Sequence, residues 1–244
     1  PKTPIMAAMA PVPVGDFEIS AYIARPEQPG SCPAVVIIHE VFGLVQQVKD
    51  VAVRFAREGY VAIVPDLFSR ETQFERLSDR LAMGRIVGQL SDERMIEDLR
   101  ASLKHLELLT FVDHHRIAAV GFGVGGAYAF RLATGTTSLR AAVDFYGYGV
   151  RGRESDRMTA SCVDAVSDVS CPILGIFASE DSLVPPDDVT YLKDALLRNK
   201  KPFQIKIYPG ASHGFFSETD ASYRSDMAED AWKRMHSFLH KYLR

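Results

Sequence analysis

A short β-branched and alanine run, Ile117-Ala118-Ala119-Val120, breaks into Gly121-Phe122-Gly123-Val124-Gly125-Gly126 and then into the apolar stretch Ala127 to Ala133. Strand, sharp glycine turn and apolar helix in that order belong at the carboxyl edge of an α/β sheet. In the nucleophile elbow Gly-x-Ser/Cys-x-Gly, a strained turn pushes the central side chain off the top of such a sheet. Here the central residue is Gly123, and its side chain is a hydrogen. The segment therefore keeps the frame of an elbow without its attacking atom.

The rest of the chain supplies the sheet that such a turn needs. Ala34 to Ile38 is a continuous apolar run of strand length, as expected of a strand buried on both faces. Val48, Val51, Ala52, Phe55 and Ala56 recur at helical spacing, with Gly59 placed past the helix end. Further strands are expected at Phe17–Ala24, Tyr60–Val64, Arg116–Val120, Ala141–Tyr146, Ile173–Ala178 and Phe203–Tyr208. Ser91 reads as the cap of a helix running to about Leu109, with Met95, Leu99, Leu103 and Leu106 inward. A helix beginning near Pro186 and a closing helix striped by Met227, Ala231, Met235, Phe238 and Tyr242 complete the alternation. Residues 69–90 are charged and irregular with a weak helical pattern, and read as an excursion over the sheet's end. Alternating strands and helices predict one α/β domain over residues 1–244, with a mostly parallel sheet covered on both faces. Its ligand crevice belongs beyond the strands' carboxyl ends.

Composition narrows the partners. A net charge of −3 over 244 residues gives no electrostatic reason for nucleic acid or an anionic membrane. No apolar run reaches the ~18 residues of a membrane span. Residues 1–14 hold one lysine and a proline-broken apolar patch, poor material for a signal peptide. The three cysteines, Cys32, Cys162 and Cys171, have no metal spacing, which favours a reducing, cytoplasmic setting.

Three loops at strand ends carry chemistry. His39-Glu40-Val41-Phe42-Gly43 follows the buried strand, where a backbone N–H serves an oxyanion hole; Val41 is the expected donor, with Val124 as the second. Asp181, in Ser179-Glu180-Asp181-Ser182-Leu183-Val184-Pro185, is placed to orient a histidine, whereas Asp187 and Asp188 suit the start of the next helix. Of seven histidines, His213 alone sits in a glycine-rich turn after a core strand. The order nucleophile position, Asp, His is that of α/β-hydrolases.

The glycines also spell a different motif. Gly121-x-Gly123-x-x-Gly126 follows a strand and opens a helix, and Asp144 closes the next strand, which matches a dinucleotide fingerprint with Asp144 on the ribose. That reading makes the chain a dinucleotide-binding oxidoreductase. It leaves His39-Glu40, Asp181 and His213 unexplained, and several elements precede the motif.

On His39-Glu40-Val41-Phe42-Gly43, Pro65-Asp66-Leu67-Phe68, the glycine turn, Asp181 with Val184-Pro185, and Gly210-x-x-His213-x-Phe215, the chain resembles the dienelactone hydrolase family of α/β-hydrolases from Phe17 to Leu243. The resemblance implies hydrolysis of small lactones or esters through a Cys-His-Asp triad, without metal or organic cofactor. It also implies that Glu40 holds the resting cysteine and is displaced by substrate. Two positions depart from the pattern. Gly123 replaces the cysteine, and Ser217 stands where an arginine often follows the histidine. Arg80, in the 69–90 excursion, matches a carboxylate-binding arginine, and Phe42 and Phe215 are further expected substrate contacts.

The expected site is thus Gly123 as the vacant nucleophile position, His213 as base, Asp181 and Glu40, with Val41 and Val124 as oxyanion donors. Three explanations of Gly123 stand open: a non-catalytic relative that binds a small carbonyl or ester ligand, an inactivated form of a cysteine enzyme, or recruitment of another nucleophile such as Cys162. The expected assembly is a monomer or homodimer.

Overall fold

Residues 3–71, 73, 75–148 and 163–244 are described in the computed structural model. Eight strands form one sheet: β1 (Ile5–Val14), β2 (Phe17–Pro26), β3 (Cys32–Ile38), β4 (Val61–Pro65), β5 (Val112–Phe122), β6 (Leu139–Phe145), β7 (Ile173–Ala178) and β8 (Phe203–Tyr208). Their spatial order is β1-β2-β4-β3-β5-β6-β7-β8. β1 and β2 run antiparallel to their neighbours, and from β4 to β8 every pairing is parallel. Helices α1 (Gln46–Arg57), α2 (Arg80–Val87), α3 (Asp92–Leu108), α4 (Val124–Thr134), α5 (Pro186–Arg198) and α6 (Ser225–Tyr242) supply the connections and the cover.

The central strands are apolar throughout because helices lie on both faces. Val35 to Ile38 in β3 and Ile117 to Val120 in β5 have no exposed surface. Register pairs Val36 with Ala119 and Val120 with Val143, which aligns the carboxyl ends of β3, β5 and β6. The loops after those strands therefore open on the same side.

Helix starts follow the sequence. The Ser91 hydroxyl accepts the Arg94 N–H at 3.3 Å and opens α3, whose expected inward residues are all buried. Pro186 is the first residue of α5, with Asp187 and Asp188 in its first turn against the positive end of the helix dipole.

One element lay beyond the sequence reading, and one was only weakly marked in it. Residues 5–14, judged there only as an unlikely signal peptide, form β1, paired along its length with β2. Pro11 and Pro13 disguise it, and an edge strand is where a sheet tolerates proline. The 69–90 excursion contains α2, opened by the Asp79 carboxylate accepting the Ala82 N–H at 2.7 Å.

Candidate functional site

The glycine turn is an elbow in its backbone. Gly123 has φ 57° and ψ −125°, a combination that L side chains rarely adopt, and it stands immediately before α4. Its N–H donates to the Phe145 carbonyl at 2.9 Å, and its own carbonyl accepts the Gly126 N–H at 2.9 Å. Close approach explains the flanking glycines. A Cβ on Gly121 would run into the Gly125 carbonyl, and one on Gly125 would meet the Ile38 carbonyl. Side chains at those positions would push α4 off the ends of β3 and β5. At Gly123 the obstacle is softer: a Cβ there would lie 2.9 Å from the Glu40 carboxylate oxygen Oε1, the tip of a flexible side chain.

The acid and the base meet. Asp181 Oδ1 accepts the N–H groups of Leu183 (2.8 Å) and Val184 (3.0 Å), which leaves Oδ2 to accept a proton from His213 Nδ1 at 2.7 Å. Both side chains are buried. The His213 ring lies 4.8 Å from that of Tyr146 and 5.8 Å from that of Tyr148. Its Nε2 is buried and has no hydrogen-bond partner among the described residues. With the proton on Nδ1 held by Asp181, Nε2 presents a free lone pair.

Glu40 faces this pair through an ion cluster. Arg80 Nη1 donates to Glu40 Oε1 at 2.7 Å, and Arg80 Nη2 donates to Asp220 Oδ2 at 2.5 Å. The guanidinium also lies 5.1 Å from the Phe42 ring. Burial opposes the charge on Arg80, but the two carboxylates outweigh it and raise its pKa further. A Cβ on Gly214, next to His213, would touch both Arg80 and Asp220. The cluster thus reaches from Gly123 to the histidine loop.

The Glu40–Val41 peptide is held by its neighbours. His39 Nδ1 donates to the Glu40 carbonyl at 2.7 Å, the Gly43 N–H donates to the same oxygen at 3.0 Å, and the Leu67 N–H donates to His39 Nε2 at 3.1 Å. Burial lowers the His39 pKa, consistent with a neutral ring. The Val41 and Val124 N–H groups donate to no protein acceptor among the described residues. A narrow crevice of about 20 Å³ between Glu40, Phe42, Phe122 and Ser217 adjoins a cavity of about 240 Å³ between α1 and α6, the two sharing Gln47 and Thr219.

Two expectations need correction. Phe215 is fully buried, its ring against Tyr208 and Tyr146. It supports the histidine loop from beneath; its neighbour Phe216 points the other way and lines the larger cavity. Asp144, the ribose contact of the dinucleotide reading, is buried with its Oδ1 accepting the Gly147 N–H at 2.7 Å. It packs so closely on Gly126 that a Cβ there would collide with it, so it is closed to a ribose. Cys162, weighed as a substitute nucleophile, lies outside the described residues. The other two cysteines, Cys32 and Cys171, are buried, and burial pushes the Cys171 pKa up to about 12.

Asp220, Tyr146, Tyr148 and Ser222 escaped the sequence reading. Ser222 Oγ donates to the His213 carbonyl at 2.6 Å, within reach of Asp220 Oδ1 at 2.7 Å. A cluster of acidic and hydroxyl residues just after the histidine, Ser217 to Ser222, was the available signal. Among the described residues no group of His, Cys, Asp and Glu is arranged to hold a metal ion, and no helix is long and apolar enough to cross a membrane.

Known proteins share this frame. The family model described as the dienelactone hydrolase family matches residues 19–243. A relative from Escherichia coli (strain K12), named "Putative carboxymethylenebutenolidase", is 31% identical over 99% of this chain and 89% of its own length. One of the same name from Saccharolobus solfataricus is 32% identical over 92% and 94%. The crystal structure of a "Putative Dienelactone Hydrolase" from Klebsiella pneumoniae superposes with TM-score 0.90 at 30% identity, covering 98% of this chain and all of the other. None of these names supports the dinucleotide-binding oxidoreductase, and the buried Asp144 removes that reading's ribose contact. The matched model spans all three strand-end loops and the elbow between them, and the chain belongs to the dienelactone hydrolase family.

Proposed function

We propose that this chain is an ester and lactone hydrolase scaffold from which the nucleophile is absent, so that as written it is inactive or strongly impaired. The carrying observation is the 2.7 Å contact between His213 Nδ1 and Asp181 Oδ2, with His213 Nε2 unpartnered. An acid-oriented imidazole with a free lone pair is the arrangement that withdraws a proton from a nucleophile.

With cysteine at position 123, Nε2 takes the thiol proton and the thiolate attacks the ester carbonyl. The oxyanion is stabilised by the Val41 and Val124 N–H groups. Collapse expels the alcohol, which recovers the proton from His213. Water, deprotonated by the same nitrogen, then cleaves the thioester. Arg80 and Phe42 border the bound substrate. Glycine offers no lone pair, so the first step has no attacking atom. A water in that space, activated by His213, would retain at most the ~10³–10⁴-fold residual catalysis that an oxyanion hole and binding give alone. Two unpaired buried thiols suit a reducing cytoplasm, and the assembly is a monomer or homodimer acting on a small molecule.

A second reading has its own support. Glu40 Oε1 lies 2.9 Å from the point where a side chain on Gly123 would begin, so part of the seat is already filled. That suits a non-catalytic relative that binds a small ester or carbonyl compound. One assay separates the two. Hydrolysis of p-nitrophenyl acetate by the unaltered chain is expected near background, and Gly123→Cys is expected to raise it by at least ~10³-fold. An acyl-enzyme burst from the unaltered chain overturns the vacancy. A folded Gly123→Cys protein without activity favours the binder.

A further inference from the structure

Arg80 is a cation built into a small site, which ordinarily marks a receptor for a carboxylate. Its donors are already engaged. Nη1 is held by Glu40 Oε1 at 2.7 Å, and Nη2 lies 2.5 Å from Asp220 Oδ2 and 3.5 Å from Glu40 Oε2. The three side chains are largely buried, at 17% exposure for Arg80, 11% for Glu40 and 17% for Asp220. Two carboxylates against one guanidinium leave the cluster with an excess negative charge between the Gly123 seat and the His213 loop.

Asp220 is itself fixed. Its other oxygen accepts the Ser222 N–H at 2.9 Å, with the Ser222 hydroxyl at 2.7 Å, and its own N–H donates to the Ser217 carbonyl at 3.0 Å. Burial alone would raise its pKa, yet the hydrogen bonds from Arg80 and Ser222 hold it below the usual carboxylate value. The carboxylate is therefore charged at neutral pH. Ser217, on the same turn, is buried with its hydroxyl 3.2 Å from that of Thr219, and as a neutral residue it brings no positive charge to the cluster. Arg76, the other described cation nearby, is exposed at the rim, reaching the Phe42 carbonyl at 3.4 Å, where solvent screens it.

We infer that Asp220 makes this site select esters that are uncharged at the end facing Arg80, because an anionic substrate would have to expel Asp220 or Glu40 and add a further negative charge to a buried cluster. Asp220 is a specificity residue acting through Arg80, not a catalytic one. The inference rests on the proposed ester-binding reading, and the test is arranged so that the two can fail separately.

The probes are dimethyl succinate, which is neutral, and monomethyl succinate, which carries one carboxylate on the same skeleton. Calorimetric titration of the unaltered chain, which lacks the nucleophile and so leaves its ligand intact, is expected to show the dimethyl ester binding at least ~10-fold more tightly. The Gly123→Cys protein is expected to hydrolyse the two with the same preference in kcat/KM. Asp220→Asn, which keeps an acceptor for Ser222 and frees Arg80, is expected to lower that preference at least ~10-fold in both assays. Tighter binding of the monoanion by the unaltered chain overturns the inference and spares the ester reading. An unchanged preference in folded Asp220→Asn overturns the role of Asp220. Dimethyl ester binding that favours the neutral probe, with no hydrolysis after Gly123→Cys, supports the charge selection and sinks the hydrolase reading. Binding of neither probe sinks both. If Asp220→Asn fails to fold, Asp220→Ser, which also removes the charge, carries the same expectation and the same overturning result, and tighter binding of the monoanion by the unaltered chain still overturns the inference without any variant.

Discussion

The two halves of the site are built to different degrees of completion. On the β7–β8 side, Asp181 accepts two backbone N–H groups and the His213 Nδ1 proton, and the imidazole is packed against Tyr146. On the β5–β6 side the elbow keeps its positive φ and its close glycine contacts, but no reactive side chain stands on it. The buried carboxylate there, Asp144, accepts a single N–H, from Gly147, among the described residues. The contrast separates scaffold from reagent. The elbow is held by backbone packing of α4 on β3 and β5, to which a nucleophile contributes nothing, so it persists without one. The acid–base pair is also braced by backbone, through the Leu183 and Val184 N–H groups, but its contact exists only while both side chains do.

The sharpest way to break the comparison is to damage the complete half once the incomplete one has been filled. In the Gly123→Cys protein, Asp181→Asn keeps an oxygen for Leu183 and Val184 but turns an amide N–H toward His213 Nδ1. The imidazole proton is then forced onto Nε2, the wrong tautomer for a base. Activity toward p-nitrophenyl acetate is expected to fall by ~10⁴-fold with the fold intact by circular dichroism. A loss under tenfold would mean that Asp181 only braces its loop.

How much of this was legible in the sequence follows the same division. Strands buried on both faces announce themselves by unbroken apolar runs, as Ala34 to Ile38 did, and α3 carried its cap at Ser91 and its inward leucines in the open. The Asp181–His213 pair could be read because each residue follows a core strand, and fold order brings such positions together. Pairings set by loops could not be read. Arg80 and Asp220 are 140 positions apart, and nothing local tells one that the other faces it. Phe215 and Phe216 are adjacent aromatics in a turn, where no periodicity decides which one faces the core. β1 was hidden because strand propensity is a property of a paired edge, while Pro11 and Pro13 speak against pairing in isolation.

A smaller effect sharpens the contrast between the two carboxylates. Burial raises the Asp144 pKa to about 7, only partly offset by the Gly147 N–H. A raised carboxyl pKa means that the folded protein keeps a proton that the unfolded chain releases near pH 4. The associated stability is fully present below the unfolded pKa, declines as pH rises, and is gone above about 7. Asp144→Asn keeps an acceptor for Gly147 and cannot ionise. Urea denaturation at pH 5 and pH 8 is expected to show the unaltered chain losing up to a few kcal/mol more between the two than the variant does. Equal losses would mean that Asp144 is charged and solvated when folded.

The smallest expected effect probes position 123 itself. Gly123 at φ 57° and ψ −125° occupies backbone space that costs a non-glycine residue ~1–2 kcal/mol. Gly123→Ala adds a Cβ 2.9 Å from the Glu40 carboxylate oxygen, which can swing aside, so the backbone term dominates. The expected result is a melting temperature lower by a few degrees, with no gain of esterase activity. The same strain falls on Gly123→Cys, which should therefore be less stable than the unaltered chain while being more active. An alanine variant as stable as the parent would show that the turn relaxes when substituted. The elbow would then be a shape that glycine permits and the surrounding helix and strands do not impose.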